Sequence, residues 1–165
     1  MKYSEAKPKI KSGDLLAWSH KKWGSWYDFQ IQMVRAFTQS DYCHVGIAWC
    51  IAGRTFVIEA VGSGVRIFPL SHAESFYWVP LPVEWSEKVE EFALSTIGEP
   101  YSKIECFKAF FGMELEETKE RTWECAELAM AILGQAGCKL NVSPTPSKVV
   151  QAALEVGSSL VFVEV

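Results

Sequence analysis

Two polar side chains interrupt apolar runs in the first half of the chain. His44 lies within Tyr42-Cys43-His44-Val45-Gly46-Ile47, and Glu59 lies within Phe56-Val57-Ile58-Glu59-Ala60-Val61. A histidine buried in such a run needs partners for its ring nitrogens. It is then either a structural core histidine or a general base whose second nitrogen faces a cleft. Carboxylates are almost never fully buried unless paired. If the two runs form an antiparallel hairpin turning near Ala52-Gly53, with its centre between 51 and 52, His44 and Glu59 lie opposite each other within hydrogen-bonding reach. A carboxylate on one imidazole nitrogen fixes the tautomer and stabilises the imidazolium. The plainer alternative is a glutamate on a solvent-facing strand surface. Cys125 is the third chemical candidate. Thr122 reads as an N-cap that places Trp123, Glu124 and Cys125 in the first turn of a helix. Backbone N–H groups and the helix dipole there favour a thiolate and can hold an oxyanion. The adjacent Glu124 opposes that charge, and the spacing of Cys125 also fits an apolar helical stripe. Nucleophile, base and orienting carboxylate form a coherent set, and the residues alone leave both readings open.

The remaining reactive residue types offer less. His20, in Ser19-His20-Lys21-Lys22-Trp23, and His72, in Ser71-His72-Ala73, read as solvated. The five cysteines are an odd number and show no C-x-x-C spacing, so neither an even disulfide framework nor a zinc knuckle is indicated. Each other cysteine reads as a reduced, small apolar residue. A zinc site from Cys43, His44 and Cys50 is the weakest option, because adjacent strand residues point to opposite faces.

The elements that must position these groups follow from periodicity and turn chemistry. Leu15 to Trp18 reads as a short strand entered from a Gly13-Asp14 turn. Trp26, Phe29, Met33 and Phe37 fall at helical spacing between Ser25 and Thr38. Strands are expected over Tyr42–Ile51, Thr55–Val61 and Val65–Phe68, forming a meander through glycine turns. A further strand, Phe76–Leu81, is demoted towards an edge by Pro80. The second half turns helical: Trp85–Ile97, ended by Gly98-Glu99-Pro100; Ser102–Phe111; and a stripe of Cys125, Leu128, Ala129, Ile132, Leu133 and Ala136 closed by Gly137. Glu114 to Arg121 reads as a charged connection. Ser147 is expected to cap a short helix through Leu154, and Leu160–Val165 is a last strand. Strands first and helices mostly after give an α+β class. One domain is expected over 1–165, with 1–12 as a polar N-terminal arm.

Composition narrows the partners. The 165 residues are 49% apolar and 22% charged, which excludes disorder and supports one core burying about 70% of the unfolded chain's surface. A net charge of −4 argues against a general nucleic-acid binder. No apolar run approaches the ~18 residues of a membrane span, and the polar start lacks a signal-peptide pattern. The expectation is a soluble, cytoplasmic protein.

Gly13-Asp14-Leu15-Leu16, His44-Val45-Gly46-Ile47, Val57-Ile58-Glu59-Ala60, Gly98-Glu99-Pro100-Tyr101-Ser102 and Cys125-Ala126-Glu127-Leu128 occur in that order. This succession resembles the permuted NlpC/P60 superfamily, and within it the YiiX/YaeF-like group of papain-fold cysteine hydrolases. The resemblance runs from about Gly13 to the Ser147 helix. It implies a permuted papain-like fold, with an antiparallel sheet or small barrel packed against helices and the histidine strand ahead of the nucleophile helix. It also implies a peptidase or amidase working through a thioester: Cys125 as nucleophile, His44 as base and Glu59 as the orienting residue. Asp14 would be structural or pocket-lining, Tyr101 would line the cleft, and Glu127 follows the nucleophile without an assigned role. Ala126 departs from the small hydroxyl residues frequent in relatives. No metal or organic cofactor is required, and the implied partner is a peptide or amide substrate such as a peptidoglycan-derived peptide. An acyltransferase or lipid and ester hydrolase, and a non-catalytic binding domain, are the competing readings.

Overall fold

A computed structural model describes residues 1–19, 42–101, 122–157 and 159–165. The helices expected over 25–38 and 102–111, the charged connection 114–121, His20 and Cys106 lie outside these residues.

The β-branched and aromatic runs pair into one antiparallel sheet. Its strands are β1 (Leu15–Trp18), β2 (His44–Ile51), β3 (Arg54–Val61), β4 (Gly64–Pro69), β5 (Phe76–Val79) and β6 (Val161–Val163), in the order β4-β3-β2-β1-β5-β6. The sheet is open, with β4 and β6 at its edges. Four helices accompany it among the described residues: α1 (Tyr3–Ala6), α2 (Glu87–Ser95), α3 (Cys125–Gln135) and α4 (Pro146–Val156). The expected α+β class holds in this form.

Both faces of the sheet are covered, which is why its strands read as continuous apolar runs rather than alternating ones. Leu15, Ala17, Val45, Ile47, Ile58 and Ala60 pack with Leu128, Ala129, Ile132 and Leu133 of α3 and with Val149 and Ala153 of α4. Leu16, Ala48, Val57, Phe76 and Trp78 form a second cluster on the other face with Ala6, Ile10 and Leu70. Truncating one fully buried leucine, such as Leu128→Ala, would cost about 2–5 kcal/mol.

Four expectations change. The β2–β3 hairpin turns at Ala52-Gly53, both with positive φ (49° and 72°), the geometry of a two-residue type I′ turn. Ile51 therefore pairs with Arg54 and Ile47 with Ile58, which shifts the register from the expected one. The strand expected towards an edge over Phe76–Leu81 is interior and ends at Val79: it crosses to the far side of β1 and lies between β1 and β6, with Pro80 just past its end. The first twelve residues are not merely a polar arm: Ala6 and Ile10 are buried, and Tyr3 N–H donates to the Glu164 carbonyl at 2.8 Å. Finally, α4 starts at Pro146 after the cap residue Thr145, so Ser147 is not its cap; its hydroxyl accepts from the Tyr42 N–H at 3.2 Å.

The helix ends follow their sequence signals. Ser86 accepts from the Val89 N–H to start α2. At the end of α3, Gly137 takes φ +80° and the Cys138 N–H returns to the Leu133 carbonyl at 2.9 Å.

Candidate active site

His44 opens β2, at the end of the strand that pairs with Trp18 of β1. Extending the β2–β3 register by one pair sets Glu59 opposite Gly46, so His44 and Glu59 are diagonal neighbours on one face. Their side chains still meet: His44 Nε2 lies 2.6 Å from Glu59 Oε2. Gly46 makes the diagonal possible. A Cβ there would sit 2.4 Å from Val57 Cγ2 and 3.3 Å from the Glu59 Cβ, crowding the space the pair uses.

The second oxygen of Glu59 is engaged as well. Arg66, directly opposite Glu59 in the β3–β4 ladder, donates from Nε to Oε1 at 2.8 Å, and its Nη2 lies 2.7 Å from the same oxygen. Glu59 is only 5% exposed, so these two cationic partners replace the water it has lost. Burial pushes its pKa up, but the hydrogen bonds and charges of His44 and Arg66 outweigh that and hold it below the usual carboxylate value.

Cys125 is the first residue of α3, close enough to the His44 ring for its thiol to act on the proton affinity of the imidazole. With Nε2 given to Glu59, Nδ1 is the nitrogen left for the sulfur. Burial works against the imidazolium, yet the hydrogen bonds to Cys125 and Glu59, with their charges, push the His44 pKa up to about 10. Trp18 lies beside the imidazole with ring centroids 5.4 Å apart and covers part of it from solvent.

The start of α3 differs from the expected one. Glu124, not Thr122, is the cap residue, and it forms a capping box with Glu127, whose carboxylate accepts from the Glu124 N–H at 3.2 Å. Residues ahead of it are tied elsewhere: the Trp123 N–H donates to the Pro100 carbonyl at 3.1 Å, the Trp123 indole donates to Glu99, and Trp123 bridges Tyr101. These bonds hold 122–123 extended and delay the helix to Cys125. The shift moves the thiol to the very start of the helix.

The other expected site residues fall in different places. Tyr101 is half-buried and bridges Trp123, which lies two residues before Cys125. Glu127 faces its own helix start. Asp14 is 2% exposed at the opposite end of β1 from Trp18, about 13 Å along the strand. Its carboxylate accepts from Lys11 N–H (2.9 Å), Trp78 Nε1 (2.8 Å) and Leu81 N–H (3.0 Å). Burial raises its pKa, and those three donors only partly offset the rise. Asp14 therefore staples the turn before β1 to the segment after β5 and does not join the His44 cluster. The described cysteines are free thiols, and His72 is exposed. Arg66 and Trp18 were not among the expected site residues; both are register partners, of Glu59 and His44 respectively.

No family model matches the chain, and no curated protein matches it. Among solved structures, the chain is similar to metalloprotein yiiX (DUF1105) from Escherichia coli O157:H7, with a TM-score of 0.54 and 22% identity. The match covers 79% of this chain and 69% of that one. The two share a fold. That neighbour is named a metalloprotein. Among the described residues, no group of three or more His, Cys, Asp or Glu is placed to hold a metal. Both oxygens of Glu59 are also taken, by His44 and Arg66. These residues do not fit a metal site. No helix among the described residues is long and apolar enough to cross a membrane.

Proposed function

We propose that the protein is a cysteine hydrolase in which Cys125 is the nucleophile, His44 the proton carrier and Glu59 the group that orients His44. The observation that carries this reading is the 2.6 Å contact between His44 Nε2 and the buried Glu59 carboxylate, with Cys125 at the start of α3 acting on the same ring. An imidazole held only for packing has no need of both partners. The shared fold with yiiX supports a relationship of architecture and adds nothing about the reaction.

The proposed reaction is acyl transfer. His44 Nδ1 takes the Cys125 proton, and the thiolate adds to a carbonyl carbon. The oxyanion is held by N–H groups of the first turn of α3, where the Cys125 and Ala126 amides lie beyond the reach of intrahelical bonding. The C–N bond then breaks, the electron pair leaves with the amine, and His44 returns the proton to it. Water adds to the thioester, gives its proton to His44, and the acid departs as the thiol is reformed. The favoured substrates are peptide or amide bonds, with cell-wall peptides the first class to try.

Alkylation by iodoacetamide, mapped by mass spectrometry between pH 5 and 9, tests the reading. Cys125 should react faster at pH 6–7 than the other four cysteines, and His44→Ala should remove that advantage. Equal rates at all five thiols, unchanged by His44→Ala, would remove the physical basis for a nucleophile at position 125.

A further inference from the structure

Glu59 lies between two cations, and only one of them is needed to orient an imidazole. Arg66 is the other. It stands directly across the ladder from Glu59, reaches Oε1 through both Nε and Nη2, and its guanidinium rests 4.7 Å from the ring centroid of Phe68, two residues along the same strand. The register and the aromatic ring hold the fork in place, so little side-chain freedom remains to be lost when it binds.

The charges of the four groups make the consequence specific. A thiolate at Cys125, an imidazolium at His44, a carboxylate at Glu59 and a guanidinium at Arg66 sum to zero. Without Arg66 the same proton arrangement carries a net negative charge in a largely buried place; moving the proton from His44 to an anion leaves that total unchanged, so only a proton taken up from solvent, at the thiolate or the carboxylate, relieves it. A guanidinium does not give up its charge, so it can serve this purpose at any working pH.

Building on the cysteine hydrolase reading, we propose that Arg66 is a positioning residue that neutralises Glu59 and thereby leaves the positive charge of His44 available to Cys125. Arg66 touches neither the thiol nor the imidazole; it acts through the carboxylate. Its side chain is 47% exposed, so its removal leaves no uncompensated buried cation. The charge remaining in excess after removal is that of Glu59.

The test is the pH profile of Cys125 alkylation in the wild type, Arg66→Gln, Arg66→Lys and Phe68→Leu, with urea unfolding on each. Arg66→Gln should lower the rate at pH 6.5 about tenfold relative to wild type, equivalent to ~1.4 kcal/mol, and move the profile towards that of an ordinary thiol. Arg66→Lys should restore most of the rate, because it restores the charge without the fork. Phe68→Leu should produce a smaller loss of the same kind by loosening the guanidinium. If Arg66→Gln is folded and its profile overlays the wild type, the proposal is wrong while the Cys125–His44 reading stands. If Arg66→Gln does not fold, the Phe68→Leu profile decides in the same way, an unchanged profile rejecting the proposal. A wild-type profile that ignores His44→Ala rejects the hydrolase reading itself, and this proposal with it.

Discussion

Asp14, just ahead of β1, and Glu59, in β3, are both buried carboxylates, 2% and 5% exposed, and they solve their burial in opposite ways. Asp14 collects three N–H donors, two of them backbone, and its pKa is raised. Glu59 collects two cationic side chains, and its pKa is lowered. The first arrangement fixes a chain path: one side chain joins the turn before β1 to the residues after β5. The second fixes a charge between a histidine and an arginine, and on the proposed reading that charge acts through the histidine on a thiol. Burial alone therefore does not tell the two carboxylates apart; the nature of the partners does.

The largest expected effect separates the two by stability. Asp14→Ala strands three donors and should cost roughly 3–5 kcal/mol in urea unfolding. Its Cys125 alkylation profile should keep the limb that depends on His44. Loss of that limb in a folded Asp14→Ala protein would merge the two roles. Glu59→Gln should show the reverse. It keeps the size of the side chain and removes its charge, so the alkylation rate of Cys125 at pH 6.5 should fall roughly 10- to 100-fold. Stability should fall by only about 1–2 kcal/mol, because half-exposed Arg66 can be hydrated and His44 can become neutral.

Acid pulls the two carboxylates in opposite directions. Glu59, with its lowered pKa, stabilises the fold above its unfolded value of 4.5, and that contribution is lost as pH falls through the folded value. Asp14, with its raised pKa, binds its proton more readily in the fold. Its contribution therefore weakens stability as pH rises from its unfolded value of 3.8 through the folded one. In urea midpoints between pH 3 and 6, Glu59→Gln should lose the acid-side decline that the wild type carries, while Asp14→Ala should steepen it. On the alkaline side, the raised His44 pKa stabilises fully below 6.5 and is lost as pH rises through about 10, a decline that His44→Ala should abolish.

The smallest effect sharpens the comparison from the backbone. Ala52 holds φ 49° in the turn that sets the β2–β3 register, and Ala52→Asn should raise stability by about 0.5 kcal/mol in thermal unfolding. The alkylation profile should not move, since His44 and Glu59 keep their register.

Much of this was legible in the residues because it depended on local patterns. His44 and Glu59 stood out as polar interruptions of apolar runs, and the α3 stripe, its Gly137 end and the strand-rich first half followed from periodicity. The shifted register was not legible, because Ala is an uncommon residue for the first left-handed position of a type I′ turn. Arg66 gained meaning only once the β3–β4 ladder set it across from Glu59. Trp18 required the pairing of β1 with β2, which is set by the whole sheet rather than by adjacent sequence. The crossing of β5 to the far side of β1 and the docking of Ala6 and Ile10 are likewise consequences of which apolar surface remained to be covered. The start of α3 moved because Trp123 found partners in Glu99 and Pro100 that no helix-capping rule contains.

The pH titration of the His44 ring by NMR, in the wild type and in Glu59→Gln, tests the central claim most directly. A ring that remains protonated well past pH 8 in the wild type, and titrates at distinctly lower pH in Glu59→Gln, is the predicted result. A wild-type ring that titrates near the ordinary histidine value of about 6.5, unchanged in the variant, would contradict it.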